Sequence, residues 1–362
     1  MKLNFACGLY PRLIERPTMS KVLILVSSAL TICLLAGTAV AQTQTAAPAP
    51  IAPTSALPAD ADPQTIVDAL FAISGNQKRM RASGAKGVCV KGMFTPSTEA
   101  ASLSKAPHFA KTVPMTARFS MGGGNPNISD KAKPTTRGFA MEFEVPNDPM
   151  VFYFVSAPVF STKTPRQLLD FITVRLPAAD GKPDADKIKA FTVANPETTR
   201  QAAWLNARPV PASFAGVDYW GVQAFTLTNA AGKATITKLK AVPTTGQLGL
   251  TDDELKAKSD SFYTDELAER LGKGPATFDF VAILGEPGDP TNDSTAMWPE
   301  DQRKTVKLGT IAISATQANT ICDEKATDPV VNLPAGVAGP ADDPMFEIRS
   351  SAYAVSRGRR AQ

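Results

Sequence analysis

DPMFEIRSSAYAVSRGRR, residues 343–360, sets an arginine and a tyrosine four positions apart near the C-terminus. Asp343 followed by Pro344 reads as an N-cap with proline at the first helical position. On the helix that follows, Arg349, Tyr353 and Arg360 recur at spacings of four and seven and share one face. A phenol ordinarily titrates near ~10. A guanidinium placed behind it favours the anion, and a ferric ion bound to the oxygen favours it far more. The pattern therefore suits a tyrosinate held ready for a metal. The alternative at this point is a helix with a surface arginine and a packed tyrosine.

Five upstream stretches bear on that choice. RASGAKGVCVKGMF (81–94) comes first, then ARFSMGGG (117–124) and RGFAMEF (137–143). APVF (157–160) follows, with TPRQLLDF (164–171) behind it. In order and spacing these resemble the catalase superfamily, and most of all its short, bacterial, catalase-related peroxidases. The first stretch is similar to the family signature R-x-x-H-A-K-G-x-x-x-x-G-x-F. The resemblance runs from about Asp62 to Arg360. It implies an α+β fold: an antiparallel eight-stranded catalase-like β-barrel with surrounding helices and a C-terminal haem-ligating helix. It also implies a haem b (iron) cofactor, a tyrosinate ligand being the catalase arrangement.

Carried over residue by residue, the resemblance makes Tyr353 the iron ligand and Arg349 its phenolate-stabilising partner. Arg81, Arg118 and Arg360 match the arginines that hold the haem propionates, a task for which guanidinium forks are better shaped than ammonium groups. Phe160 matches an aromatic of the distal pocket. Ser120 matches the serine that hydrogen-bonds the family's distal histidine. That histidine is missing, because Gly84 stands in its place. The family's distal asparagine falls on Val155, with Ser156 beside it. His108 is the single histidine of the chain. A positioned acid–base contributes about 10²–10⁴-fold to such chemistry, and glycine cannot move a proton. The implied activity is a haem peroxidase, weakened, acting on hydrogen peroxide or organic peroxides with an unknown organic electron donor. The other readings are a haem-binding or sensing protein without turnover and a relic of the fold that binds no haem.

Composition bounds the rest. The chain has 362 residues, 43% of them hydrophobic, and a formal charge of +4. Lys2, Arg12, Arg16 and Lys21 against Glu15 put three of those charges in residues 1–41, leaving +1. That balance argues against a nucleic-acid partner held by bulk charge. Residues 1–41 read as a signal peptide with a possible start at Met19. Ser20–Lys21 form the charged end, Val22–Leu35 the apolar core, and Ala39–Ala41 the cleavage site before Gln42. A periplasmic protein with no stable membrane anchor is the expectation, although an uncleaved anchor stays open. Residues 42–58 read as an Ala/Pro/Thr-rich linker and 59–362 as the catalase-related domain. Cys7 and Cys33 leave with the leader, so Cys89 and Cys322 either pair in an oxidising compartment or remain two buried thiols.

Along the domain, β-branched and aromatic enrichment marks strands at 88–94, 115–121, 139–145, 151–155, 224–227, 234–242, 277–283 and 306–313. Helices are expected from Asp62–Pro63 to about Gly75, at 164–171, at 183–193 and at 252–271. In 139–145 the apolar residues alternate with the glutamates. In 116–120, Arg118 and Ser120 share one face and Ala117 and Phe119 the other. That polar face is either a guanidinium–hydroxyl pair for a ligand or the solvent side of a strand. Gly122–Gly124 reads as a turn rather than a phosphate cradle, and 288–299 as a turn-rich loop wrapping the barrel.

Overall fold

The computed structural model describes residues 61–325 and 332–361. The proposed signal peptide, the Met19 start and the 42–58 linker lie outside the described residues. Eight long strands form, each at an expected place: β1 Gly87–Pro96, β2 Val113–Met121, β3 Arg137–Phe143, β4 Met150–Val155, β5 Tyr219–Thr228, β6 Ala234–Pro243, β7 Ala276–Leu284 and β8 Thr305–Gln317. They pair antiparallel in the order β4-β3-β2-β1-β8-β7-β6-β5, and a β4–β5 pairing through Val155 and Trp220 closes the ring. The short β9, Val337–Ala338, adds to β5. Closure removes the exposed edges that an open sheet of this size would present.

Period-two alternation decides which residues fill the barrel. Phe119 on β2, Phe139 and Phe143 on β3, Phe152 and Phe154 on β4, and Phe278 and Phe280 on β7 are all essentially inaccessible. Their rings meet edge-on or offset; Phe119 and Phe139 stack with centroids 4.4 Å apart. Truncating one such ring costs about 3–5 kcal/mol. The alternate residues of the same strands point outward. Registers align Ser120 with Gly138 and Val155, and Arg118 with Ala140 and Tyr153. Thr116, Glu142 and Val151 form a third row. One patch of outer wall thus gathers polar side chains from three strands.

Helices cover that patch. The Pro63–Ile73 helix is capped by Asp62, whose carboxylate accepts from Thr65 N at 2.9 Å. The Arg349–Arg360 helix docks on it, Ala352 and Val355 packing against Val67, Leu70 and Phe71. An Arg359–Asp68 ion pair ties the two helices together, with the guanidinium 5.3 Å from the centre of the Phe71 ring.

Three elements differ from expectation. The 252–271 helix is two helices, Asp252–Ala257 and Phe262–Lys273. Lys258 is extended, and in the gap the Asp260 carbonyl accepts from Lys86 Nζ and Asp130 N. These are long-range contacts that no local pattern announces. Strand β5 begins at Tyr219 rather than 224, since a register shift between Trp220 and Ala224 disrupts the alternation. Asp343 does cap a helix, accepting from Met345 N and Phe346 N, but this first turn, Pro344–Glu347, is separated from Arg349–Arg360 by Ile348. Short helices at Ala100–Leu103, Arg200–Asn206 and Asn319–Glu324 had no counterpart in the sequence reading.

Candidate functional site

Between the outer wall of β2–β4 and the covering helices lies a cavity of about 260 Å³. Arg81, Gly84, Arg118, Ser120, Phe160, Arg349, Tyr353 and Arg360 all line it, so every expected site residue comes to one place. Arg118 and Ser120 are 9% and 2% exposed, which makes their face a cavity wall rather than the solvent side of a strand.

The helix spacing brings Arg349 Nη2 to 3.4 Å from the Tyr353 hydroxyl. The other end of the fork donates to Gln223 Oε1 at 3.1 Å, from β5. Gln223 holds the guanidinium behind the phenol, a role no sequence motif marked; a lone amide in the apolar run of β5 was the available signal. Asp343, inaccessible and ten residues before Tyr353, has its carboxyl pushed up to about 6 by burial, with backbone hydrogen bonds and the Arg349 charge opposing.

Gly84 has φ +68°, in the left-handed region. A Cβ there would meet Ser120 Oγ at 3.2 Å and Arg118 Nη1 at 3.7 Å. The loop is held by Ala85 N donating to Gly123 O, so the triple glycine is a turn that braces this segment. Arg118 donates to the Gly84 carbonyl at 2.7 Å and the Ala85 carbonyl at 3.1 Å. Its guanidinium crosses Gly87 so closely that a Cβ there would lie 2.8 Å from Arg118 Cζ. Burial first, then the neighbouring Arg81 charge, bring Arg118 down to about 10, so it stays cationic near neutrality.

Val155 lines the cavity, while the Ser156 hydroxyl turns to the backbone and accepts from Arg137 N. Phe160 is fixed by its backbone N–H donating to Ser294 O in the 288–299 loop. Tyr153 was missed. It stands beside Arg118 in register and hydrogen-bonds Ser120, and burial raises its phenol above the usual value. Its alternation with Val151 and Val155 was the signal that could have found it. Cys89 and Cys322 are joined, with Cα atoms 5.9 Å apart, which resolves the open question of the two cysteines.

The donor set suits a ferric porphyrin. A phenol oxygen with a guanidinium behind it faces the cavity, and three arginines stand near it. Two of those arginines, Arg81 and Arg360, each keep a buried Nε with no hydrogen-bond partner, ready for a carboxylate. Among the described residues no cluster of three or more His, Cys, Asp or Glu could hold a metal by itself. A tyrosine-held iron needs no such cluster.

A closed antiparallel barrel, its outer wall faced by this tyrosine–arginine pair on a covering helix, is the catalase architecture, and the chain belongs to the catalase family: a family model described as Catalase matches residues 62–361. It is 35% identical over 305 residues to a catalase-related peroxidase of Synechococcus elongatus, covering 83% of this chain and 89% of that protein. A catalase-related peroxidase of Mycolicibacterium paratuberculosis is 33% identical, over 81% of this chain and 93% of its own length. Among solved structures, catalase A from Saccharomyces cerevisiae superposes with a TM-score of 0.69 at 19% identity, covering 82% of this chain and 64% of that one. A bacterial catalase gives 0.69 at 23% identity, with 82% and 60% covered. The chain thus spans less than two thirds of the length of these catalases while sharing their fold.

Proposed function

We propose that this chain is a haem-dependent peroxidase that uses hydrogen peroxide or organic peroxides to oxidise an organic donor. The observation that carries the reading is the Arg349–Tyr353 pair opening onto a cavity ringed by Arg81, Arg118 and Arg360. Tyr353 would hold haem b through its phenolate oxygen, and the arginines would hold the propionates. The haem, when bound, supplies the redox chemistry by which a peroxide O–O bond is cleaved.

The protein's own contributions are separable. Arg349, oriented by Gln223, donates to the Tyr353 oxygen and holds the phenol in place. Phe160, Val155 and Leu168 line the cavity with apolar surface, which limits water there. Ser120 and Tyr153 are the hydroxyls on the side that Gly84 leaves without an imidazole, so proton movement falls to them, to water or to the donor. A hydroxyl pair is a poorer acid–base than histidine near neutrality, and turnover is correspondingly slow. Gly84 also favours the second reading, a protein that holds haem without turnover. The relatives named catalase-related peroxidase support the first.

Export follows from residues 1–41: the mature protein begins at Gln42, in the periplasm, where the Cys89–Cys322 bond is at home. The test is a Soret band on stoichiometric addition of haem, followed by peroxide-dependent oxidation of a phenolic donor such as guaiacol. A band with donor oxidation supports the peroxidase; a band without it supports the haem-holding reading. No band refutes both.

A further inference from the structure

Arg81 and Arg360 come from opposite ends of the domain and converge on one oxygen. Asp323 Oδ1 lies 2.6 Å from Arg81 Nη2 and 3.1 Å from Arg360 Nη1. The same Arg81 nitrogen donates to the Cys322 carbonyl at 3.0 Å. The guanidiniums are largely covered, with 17% and 16% of their side chains exposed, whereas Asp323 is 50% exposed. Two forks able to grip carboxylates bidentately are thus meeting a single oxygen, and each still has an unpartnered Nε.

The residue beside Asp323 explains how it is held. Cys322 is bonded to Cys89 of β1. At the other end of the same short helix, Asn319 accepts from Cys89 N at 2.9 Å and donates to the Gly87 carbonyl at 3.3 Å. The helix is therefore fastened to the barrel at both ends, with Asp323 directed at the arginines. Charge explains why a carboxylate belongs there. Arg81, Arg118 and Arg360 lie close enough that Arg81 disfavours the charge on both of the others, while Asp323 favours it.

We propose that Asp323 is an internal carboxylate occupying the arginine pair that a ligand's carboxylates require, and that the Cys89–Cys322 bond holds it in competition with them. This rests on the haem-binding reading above. A ligand carrying carboxylates must displace Asp323 or share the arginines with it, so Asp323 sets the affinity for the cofactor. The tether makes that affinity dependent on the disulfide.

The test uses metal-free protoporphyrin IX, which has both carboxylates but no iron for Tyr353, so the outcome does not depend on ligation. Binding to the full chain is read by quenching of tryptophan fluorescence. Asp323→Asn is expected to bind protoporphyrin IX roughly tenfold more tightly than wild type, about the size of one partly exposed charge-assisted hydrogen bond. Asp323→Glu should stay near wild type. Protoporphyrin dimethyl ester, without free carboxylates, should bind both forms equally. Reducing the wild-type protein with a dithiol provides an arm without mutation. The S–S bond breaks, two thiols form, the dithiol becomes a disulfide, and porphyrin affinity should rise in the same direction. Equal affinity of wild type and Asp323→Asn overturns the proposal, as does an equal gain for the ester. Weaker binding by Asp323→Asn overturns it too, making Asp323 a strut for the arginines. Failure of every form to bind porphyrin overturns this inference, the haem reading being judged separately by the Soret titration with haem; normal binding with no Asp323 effect likewise refutes this inference alone.

Discussion

Gly84→His restores the family's distal imidazole, and the structure sets a cost on doing so. At φ +68° the position lies where a side chain costs about 1–2 kcal/mol. The new Cβ also sits 3.2 Å from Ser120 Oγ, so the hydroxyl must give by a few tenths of an ångström. Any shift of this peptide disturbs the 2.7 Å bond from Arg118 to the Gly84 carbonyl. Gly84→Ala carries the same backbone penalty without the ring and is the control. Both variants should therefore lose about 1–2 kcal/mol in urea unfolding. Only Gly84→His should gain peroxide turnover, by roughly 10²-fold, through a general acid–base that Ser120 can orient. Adding Ser120→Ala to Gly84→His should remove part of that gain. Stability unchanged in Gly84→Ala would show the conformational argument to be wrong. A folded, haem-loaded, five-coordinate Gly84→His with no rate increase would show that proton transfer was never the missing element. A low-spin, six-coordinate and inactive variant would mean the ring binds the iron and the pocket serves another task.

Tyr353→Phe should abolish or strongly weaken ferric haem binding, checked by titrating haem and reading the Soret band, whereas Arg349→Ala should retain haem with a measurably altered reduction potential. Burial raises Asp343 to about 6, from an unfolded value of 3.8. Its stabilising contribution is full below pH ~3.8 and is lost as pH rises through ~6. Asp343→Asn, which keeps an oxygen for the helix cap, should flatten that part of the stability profile in urea titrations between pH 4 and 7. Intact-mass measurement on fractionated native protein should find Gln42 at the N-terminus; a cytoplasmic chain starting at Met1 or Met19 would refute the export proposal.

Strand positions and the inward faces of β2 and β3 were legible in the sequence because they depend on alternation, a local property that one buried side imposes on every second residue. The Arg349–Tyr353 pair was equally legible, since helix geometry alone brings residues four apart together. The departure at Gly84 could also be seen, as an absence against a recognisable pattern. Other features were not local. The left-handed backbone at Gly84 follows from Gly123 and Arg118 gripping the loop, and the break at 258–261 from Asp260 serving Lys86 and Asp130. Gln223 and Tyr153 reached the cavity because β4 and β5 close the barrel beside β3, bringing together residues some 70 positions apart. The meeting of Arg81 and Arg360 on Asp323 needed the disulfide geometry as well. The sequence determined which residues could do the chemistry, since their chemical types and short spacings are written in it. The tertiary structure decided what each of them faces, since burial, backbone sign and long-range partners depend on how the ring of strands closes.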